Sequence, residues 1–493
     1  MPEHLKTKII SGLVWRTLER LGTQAMGFVV SIILARLLEP KDFGTITLIT
    51  VFIALASVFV DGGFGTALVQ AREVTELDYN SVFYLSLAVS GLLYGLLFVS
   101  APCIAQFYQE PSLILVLRLL SLSLVIGALN SVQNAVLNRE MKFKLSFRVS
   151  MISMLISGVV GIGMAVGGYG VWALVGSALA AQVSRTITLW LIVSWRPQLM
   201  FSLAAVRRMF GFSSKLLASG VLDTLFNNLY NMIIGKLFNP TILGYYSRGQ
   251  SIPNLFMSSV QGTIGSVIFS ALSSCQHDKV QMKKITRRMI KSSCFLVFPM
   301  MFGLAAVAKP LVLVLLTPKW LPCVPFLQIS CITFAFWPLH VANLQAITAV
   351  GRSDIFLTVE VIKKALIVAI ILGTYKFGVM AMVIGQAVGS LVSVAINAWP
   401  NRRLLDYSLS QQAVDILPAS LLAAGMGMLV FGLAWVIPNM YALLAVQVVL
   451  GAAVFFGGAM LFKFESVDYL WKTAWQFHRG MRLSRTPPPS PSS

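Results

Sequence analysis

Stretches of apolar residues about 20 long, enough for an α-helix to cross the hydrocarbon core of a bilayer, recur along almost the whole chain. They fall near 13–35, 43–61, 81–101, 113–135, 147–167 and 169–194, then near 211–235, 241–271, 290–316, 322–347, 355–373 and 377–399. Two more lie near 415–436 and 440–462. Gly, Pro or charged residues break the runs. The spacing predicts an all-α integral membrane protein with 14 transmembrane helices.

Composition excludes a soluble alternative. Of 493 residues, 57% are hydrophobic and 11% charged, against roughly 45–50% and 25% in soluble domains. So few charges cannot cover a water-facing surface. The net charge of +20 would suit nucleic acid in a soluble protein. Here the positive residues sit in short loops between spans and read as a topology signal, so no nucleic-acid partner is expected. The outer set of alternating loops holds only Arg36, Lys41, Lys236, Lys309, Lys319 and Lys376, whereas the inner set includes the basic run Lys279–Lys291. Both termini are therefore expected in the cytoplasm. No small-residue cleavage site follows a short apolar core at the N-terminus, so the first span is expected to remain.

The chain also resembles itself. A shift of 200 residues places Ile33-Leu34-Ala35-Arg36-Leu37-Leu38-Glu39-Pro40 on Ile233-Ile234-Gly235-Lys236-Leu237-Phe238-Asn239-Pro240, and Gly44 on Gly244. Gly170-Val171-Trp172-Ala173 similarly matches Gly378-Val379-Met380-Ala381 at nearly the same offset. An even number of spans separates the copies, so both cross the membrane in the same sense, a transporter architecture with its site expected between the repeats. The expected organisation is a lobe of helices 1–6 (1–200), a lobe of helices 7–12 (201–405) and two added helices (406–462). A basic amphipathic surface segment and a Pro/Ser tail then follow over 463–493.

Charges inside spans point to function, because an ionisable group at the bilayer centre costs about 2.5–3.5 kcal/mol on insertion scales and usually faces a polar interior. In the first span Arg16, Arg20, Thr23, Gly27 and Ser31 share one stripe. In the seventh, its repeat counterpart, Lys215, Ser219, Asp223, Asn227 and Asn231 follow at i+4 steps. These two spans read as walls of a hydrated, basic central cavity suited to a phosphate or pyrophosphate. The expected substrate-binding residues are Arg16, Arg20, Lys215, Asn227, Asn231 and Arg248. Glu19, Asp61 and Asp223 are candidates for a coupling H⁺ or Na⁺, with structural ion pairs as the competing role. Arg16, Arg20 and Lys215 also lie near enough to helix ends to snorkel to headgroups.

Enzymatic chemistry is not indicated. His4, His277, His340 and His478 are scattered, and no nucleophile–base spacing stands out. Cys103, Cys275, Cys294, Cys323 and Cys331 match no zinc or redox pattern. No metal site and no cofactor beyond a coupling ion are expected.

Arg36-Leu37-Leu38-Glu39-Pro40-Lys41-Asp42-Phe43-Gly44 and Asp61-Gly62-Gly63-Phe64-Gly65-Thr66-Ala67-Leu68-Val69-Gln70 resemble the multidrug/oligosaccharidyl-lipid/polysaccharide exporter superfamily. Asn138-Arg139-Glu140-Met141-Lys142-Phe143 and Gly244-Tyr245-Tyr246-Ser247-Arg248 are similar to its polysaccharide-transport branch, in particular to exopolysaccharide and lipopolysaccharide flippases of the colanic acid exporter type. The resemblance runs from about residue 5 to 465. It implies two six-helix lobes in a V and a bacterial inner-membrane flippase for undecaprenyl-pyrophosphate-linked oligosaccharide. It also implies association with polysaccharide polymerase and co-polymerase proteins. Two other readings compete: a multidrug/cation antiporter of the same superfamily, which would favour an acidic or aromatic cleft, and a non-transporting scaffold of a polysaccharide-synthesis complex. The basic bias of spans one and seven argues against the first, and paired polar walls argue against the second.

Overall fold

A computed structural model describes residues 3–70, 74–276 and 278–464. The expected amphipathic segment and tail therefore lie almost wholly outside the described residues. Among those described there are helices and no strands. The chain folds as two compact units, Met1–Arg248 and Gly249–Ser493.

The first unit holds α1 (Glu3–Leu37), α2 (Pro40–Asp61), α3 (Phe64–Gln70), α4 (Glu76–Tyr108), α5 (Leu113–Leu120), α6 (Leu122–Ala128) and α7 (Ser131–Arg139). It continues with α8 (Phe143–Val166), α9 (Val171–Ile192) and α10 (Leu203–Leu237). Helix α11 (Pro240–Ser273) begins in this unit and runs into the second. There follow α12 (Lys279–Ala306), α13 (Ala308–Leu315), α14 (Val324–Ala335), α15 (Trp337–Ala349), α16 (Ser353–Thr374), α17 (Val379–Ala398), α18 (Asn401–Leu404), α19 (Leu409–Gly432) and α20 (Met440–Leu461).

Local chemistry sets many of these boundaries. Pro40 opens α2, where a missing N–H costs nothing, and Gly62 closes it in the left-handed region at φ 48°. Thr75 and Asp78 form a reciprocal capping box at α4, as Ser408 and Gln411 do at α19. Asp278 accepts from Gln281 N and starts α12 at Lys279, well before the span expected at 290. The basic run is thus the first turns of a helix rather than a loop.

Ten helical segments among the described residues are long and apolar enough to cross a membrane, or eleven if a bent pair is one span. That pair is Leu113–Ala128 with Ser131–Arg139, bent by 43°, where the sequence suggested one continuous span over 113–135. Ser121 Oγ donates to Leu117 O at 2.6 Å where α5 passes into α6, a local bond that competes with the helix ladder. Helices α10 and α16 are long but rich in charge. The protein is an integral, multi-pass membrane protein.

Lipid tails are as apolar as leucine, so helices in a membrane associate through close packing and buried hydrogen bonds. In the first unit α8 packs between α1 and α9, and Ser157 Oγ donates to Ser177 O at 2.9 Å across the α8–α9 seam. Helix α10 packs on α2, α3 and α4. Phe64, Leu68, Phe83, Val132, Leu189 and Trp195 form a core joining α3, α4, α7 and α9. The first turns of α2 and α11 meet so closely that a Cβ on Gly44 would run into the Pro240 carbonyl, and one on Gly244 into that of Pro40. In the second unit α12 packs on α14, α15 and α19, and α19 on α20.

Candidate functional site

The polar stripe of α10 stands out from the structure as it does from the sequence. Lys215, Ser219, Asp223 and Asn227, at successive i+4 positions, are all exposed. The same helix also packs closely on α2: Cβ atoms on Gly220 and Gly235 would meet Val58 and Leu48. Asn231, one turn further, is half-buried and donates through Nδ2 to Asn228 Oδ1 at 3.4 Å.

On α1, Arg16 and Arg20 are exposed, and Thr23 turns its hydroxyl back to the Glu19 carbonyl at 2.7 Å. The Arg16 guanidinium lies over the Phe143 ring at 5.3 Å. Glu19 accepts a hydrogen bond from Ser150 Oγ of α8 at 2.7 Å, a contact that fixes α1 against its neighbour. Arg248 is only 8% exposed. It donates from Nη1 to Ser31 Oγ at 2.6 Å and from Nη2 to Ser31 O at 3.0 Å, with its guanidinium over Phe43 at 4.5 Å. It ties the start of α11 to the far end of α1.

Asp61, at the end of α2, and Arg16 both line a cavity of about 830 Å³ within the first unit. Arg185 of α9, an intramembrane charge of the sixth span for which the sequence leaves pairing within a lobe and substrate contact equally open, also lines it. Asn130, Asn134 and Asn138 on or before α7 and Gln182 on α9 were not foreseen. The i+4 spacing of the three asparagines was a legible signal, of the same kind as the stripe on α10. Their convergence with α9 was not.

Two further polar clusters hold the helices in register. Arg208 pairs with the buried Asp78 at 2.5 Å. Trp195 Nε1 donates to Glu76 Oε2 at 2.9 Å and Gln198 N to Asn80 Oδ1 at 2.6 Å, binding the connector before α10 to the head of α4. In the second unit, the Asp415 carboxylate accepts two bonds from Arg287 at 2.7 Å each and one from Tyr407 Oη at 2.8 Å, with Lys291 at 3.4 Å. Burial and the bond to Asp415 push the Tyr407 phenol well above its ordinary range. Lys291 and Asp415 sit on the rim of a mostly apolar groove of about 920 Å³, walled by Leu421, Leu422, Leu429 and Val454 of α19 and α20. Among the described residues no group of three or more His, Cys, Asp or Glu is placed to hold a metal ion.

Residues 33–325 match the model of a family described as polysaccharide biosynthesis protein. The chain belongs to this polysaccharide biosynthesis family. Among relatives, it is 24% identical over 436 residues to the teichuronic acid biosynthesis protein TuaB of Bacillus subtilis, covering 88% of this chain and 90% of that one. It is 28% identical to the succinoglycan biosynthesis transport protein ExoT of Rhizobium meliloti, covering 65% of each. It is 24% identical to the lipopolysaccharide biosynthesis protein WzxC of Escherichia coli, covering 80% of each. The fold is similar to that of the lipid II flippase MurJ, a structure solved in an inward-closed conformation, at TM-score 0.73 and 13% identity, over 91% of this chain and 99% of that one. The polysaccharide-transport resemblance read from the sequence is thus borne out. Of these relatives, the Rhizobium meliloti protein is named as a transport protein.

Proposed function

We propose that this protein flips undecaprenyl-pyrophosphate-linked oligosaccharide from the cytoplasmic to the periplasmic leaflet of a bacterial inner membrane, by alternating access, for lipopolysaccharide or exopolysaccharide synthesis. The observation that carries the reading is the exposed row Lys215, Ser219, Asp223 and Asn227 on one face of α10. A membrane helix exposes such a row only toward a hydrated path. Lys215, Arg16 and Arg20 supply the positive charge for the pyrophosphate, and Asn227 and Asn231 supply amides. Arg248 acts from its tether on Ser31. Asp61, Asp223 and Glu19 are the carboxylates available to a coupling H⁺ or Na⁺. By analogy of fold, the groove between α19 and α20 takes the prenyl chain.

In this reading 14 spans form two parallel six-helix repeats and an added pair, with both termini cytoplasmic and Lys279–Lys291 as the strongest anchor. Polysaccharide polymerase and co-polymerase proteins are the expected partners.

The test is transfer of a fluorescent undecaprenyl-pyrophosphate oligosaccharide by the purified full-length protein in liposomes, with and without a proton or Na⁺ gradient. Gradient-dependent transfer supports the flippase and identifies the ion. Absence of transfer, with cationic dyes moved instead, would replace it with a drug antiporter.

A further inference from the structure

The cavity of the first unit has a chemistry that pyrophosphate recognition does not require. Asn134 Nδ2 donates to both Asn130 O and Asn130 Oδ1 at 2.9 Å, and Asn130 Nδ2 donates to Thr186 Oγ1 of α9 at 2.9 Å. Arg185 Nη2 donates to Asn134 Oδ1 at 3.1 Å. The guanidinium is thereby held in one orientation, yet its buried Nε has no acceptor. The rest of the guanidinium lines the cavity, and a cationic donor group short of acceptors is stabilised by an acceptor brought to it there.

Around it the side chains of Asp61, Asn138 and Gln182 line the cavity with no hydrogen-bond partner among the described residues. Amides donate and accept, a carboxylate only accepts, and a guanidinium only donates. Ser57, Ser86 and Ser131 add hydroxyls to the same walls.

This donor–acceptor mixture selects among ligands. A metal cation would need several oxygen ligands with carboxylates dominant, whereas here one carboxylate shares the cavity lining with two guanidiniums, Arg16 and Arg185. An apolar compound would leave the amides unpaired. A molecule dense in hydroxyls, each both donor and acceptor, satisfies Asp61, Asn138 and Gln182 together. An anionic substituent on it satisfies Arg185, whose fork matches a carboxylate. The volume of about 830 Å³ lies within the range of roughly 300–1,000 Å³ typical of small-molecule sites.

We propose that this cavity is a glycan pocket for an acidic sugar residue, its carboxylate on Arg185 and its hydroxyls on Asp61, Asn138 and Gln182. The proposal rests on the reading of the chain as a carrier of lipid-linked oligosaccharide and names the sugar chemistry that the carrier prefers.

The test uses free sugars, so that it does not depend on transport. Full-length protein in detergent is titrated calorimetrically with disaccharides ending in glucuronate or galacturonate, and with their neutral glucose and galactose counterparts. The acidic sugars are expected to bind about tenfold more tightly than the neutral ones, a difference typical of one charged contact. Arg185→Gln should erase that preference. Asn138→Asp, at an exposed position with no side-chain partner, should weaken acidic sugars about tenfold by repulsion without lowering the unfolding temperature. It keeps the test open if Arg185→Gln fails to fold. No binding of either sugar class, equal binding of both, or a preference intact in the Asn138→Asp protein would overturn the pocket. Sugar binding without any transfer of lipid-linked oligosaccharide in liposomes would overturn the flippase reading instead and leave the pocket standing.

Discussion

At the scale of single residues, the intramembrane cations divide by their surroundings. Lys215 lies exposed with no side-chain partner among the described residues, so its charge is available to a ligand. Arg248 is buried against Ser31 and Phe43 and holds two helices together. Lys215→Ala is expected to cut transfer of the lipid-linked substrate at least tenfold with unchanged protein level and unfolding temperature. Full transfer by the Arg16→Ala, Arg20→Ala, Lys215→Ala triple variant would dismiss these residues as headgroup contacts. Arg248→Ala, by contrast, removes charge-assisted bonds worth about 1.5–3 kcal/mol each and should lower the unfolding temperature as well as activity. The i+4 recurrence of polar residues in an apolar helix made Lys215, Asp223 and Asn227 legible from sequence, because a helix face follows directly from spacing. The partner that occupies Arg248 was invisible, because Ser31 lies 217 positions away.

At the scale of helices, two contacts carry testable weight. Gly44 and Gly244 let the first turns of α2 and α11 touch backbone to backbone. A branched side chain at either position overpacks against a carbonyl that cannot move alone. Gly44→Val or Gly244→Val is expected to destabilise by about 3 kcal/mol, at the upper end of overpacking costs, read as a fall in thermal unfolding temperature in detergent. An unchanged temperature would mean that the two turns separate freely.

The second contact is Asp415, which joins α19 to Arg287 and Lys291 of α12. Asp415→Asn leaves these cations facing a neutral amide. Because Arg287 is half exposed, the loss should be nearer 1–3 kcal/mol than the 3–5 kcal/mol of a fully buried pair, again seen in thermal unfolding. The helices themselves were largely readable from apolar length. The exceptions have physical causes: the fourth stretch bends beside Asn130 and Ser131, and α12 starts early because Asp278 caps it at Lys279.

At the scale of the whole molecule, the distribution of basic loops makes a topological prediction independent of substrate. Single cysteines introduced into a cysteine-free protein at Arg352 and at Lys376 should react with an impermeant maleimide from opposite sides of the membrane, Arg352 from the cytoplasm. Labelling of both from one side would break the assignment of α16 as a span, and with it the count of 14. Sequence by itself determined that the chain lives in a bilayer, that it is helical, that two helices present polar rows, and that its motifs resemble polysaccharide exporters. Each of these follows from residue type and short-range spacing, since apolar length and helical period are local properties. Only the tertiary structure decided which polar residues share a space: Asp61 of α2, Asn138 of α7, and Gln182 and Arg185 of α9 meet because those three helices pack. Convergence of this kind depends on the directions in which packed helices run, and no local pattern in the chain encodes those directions.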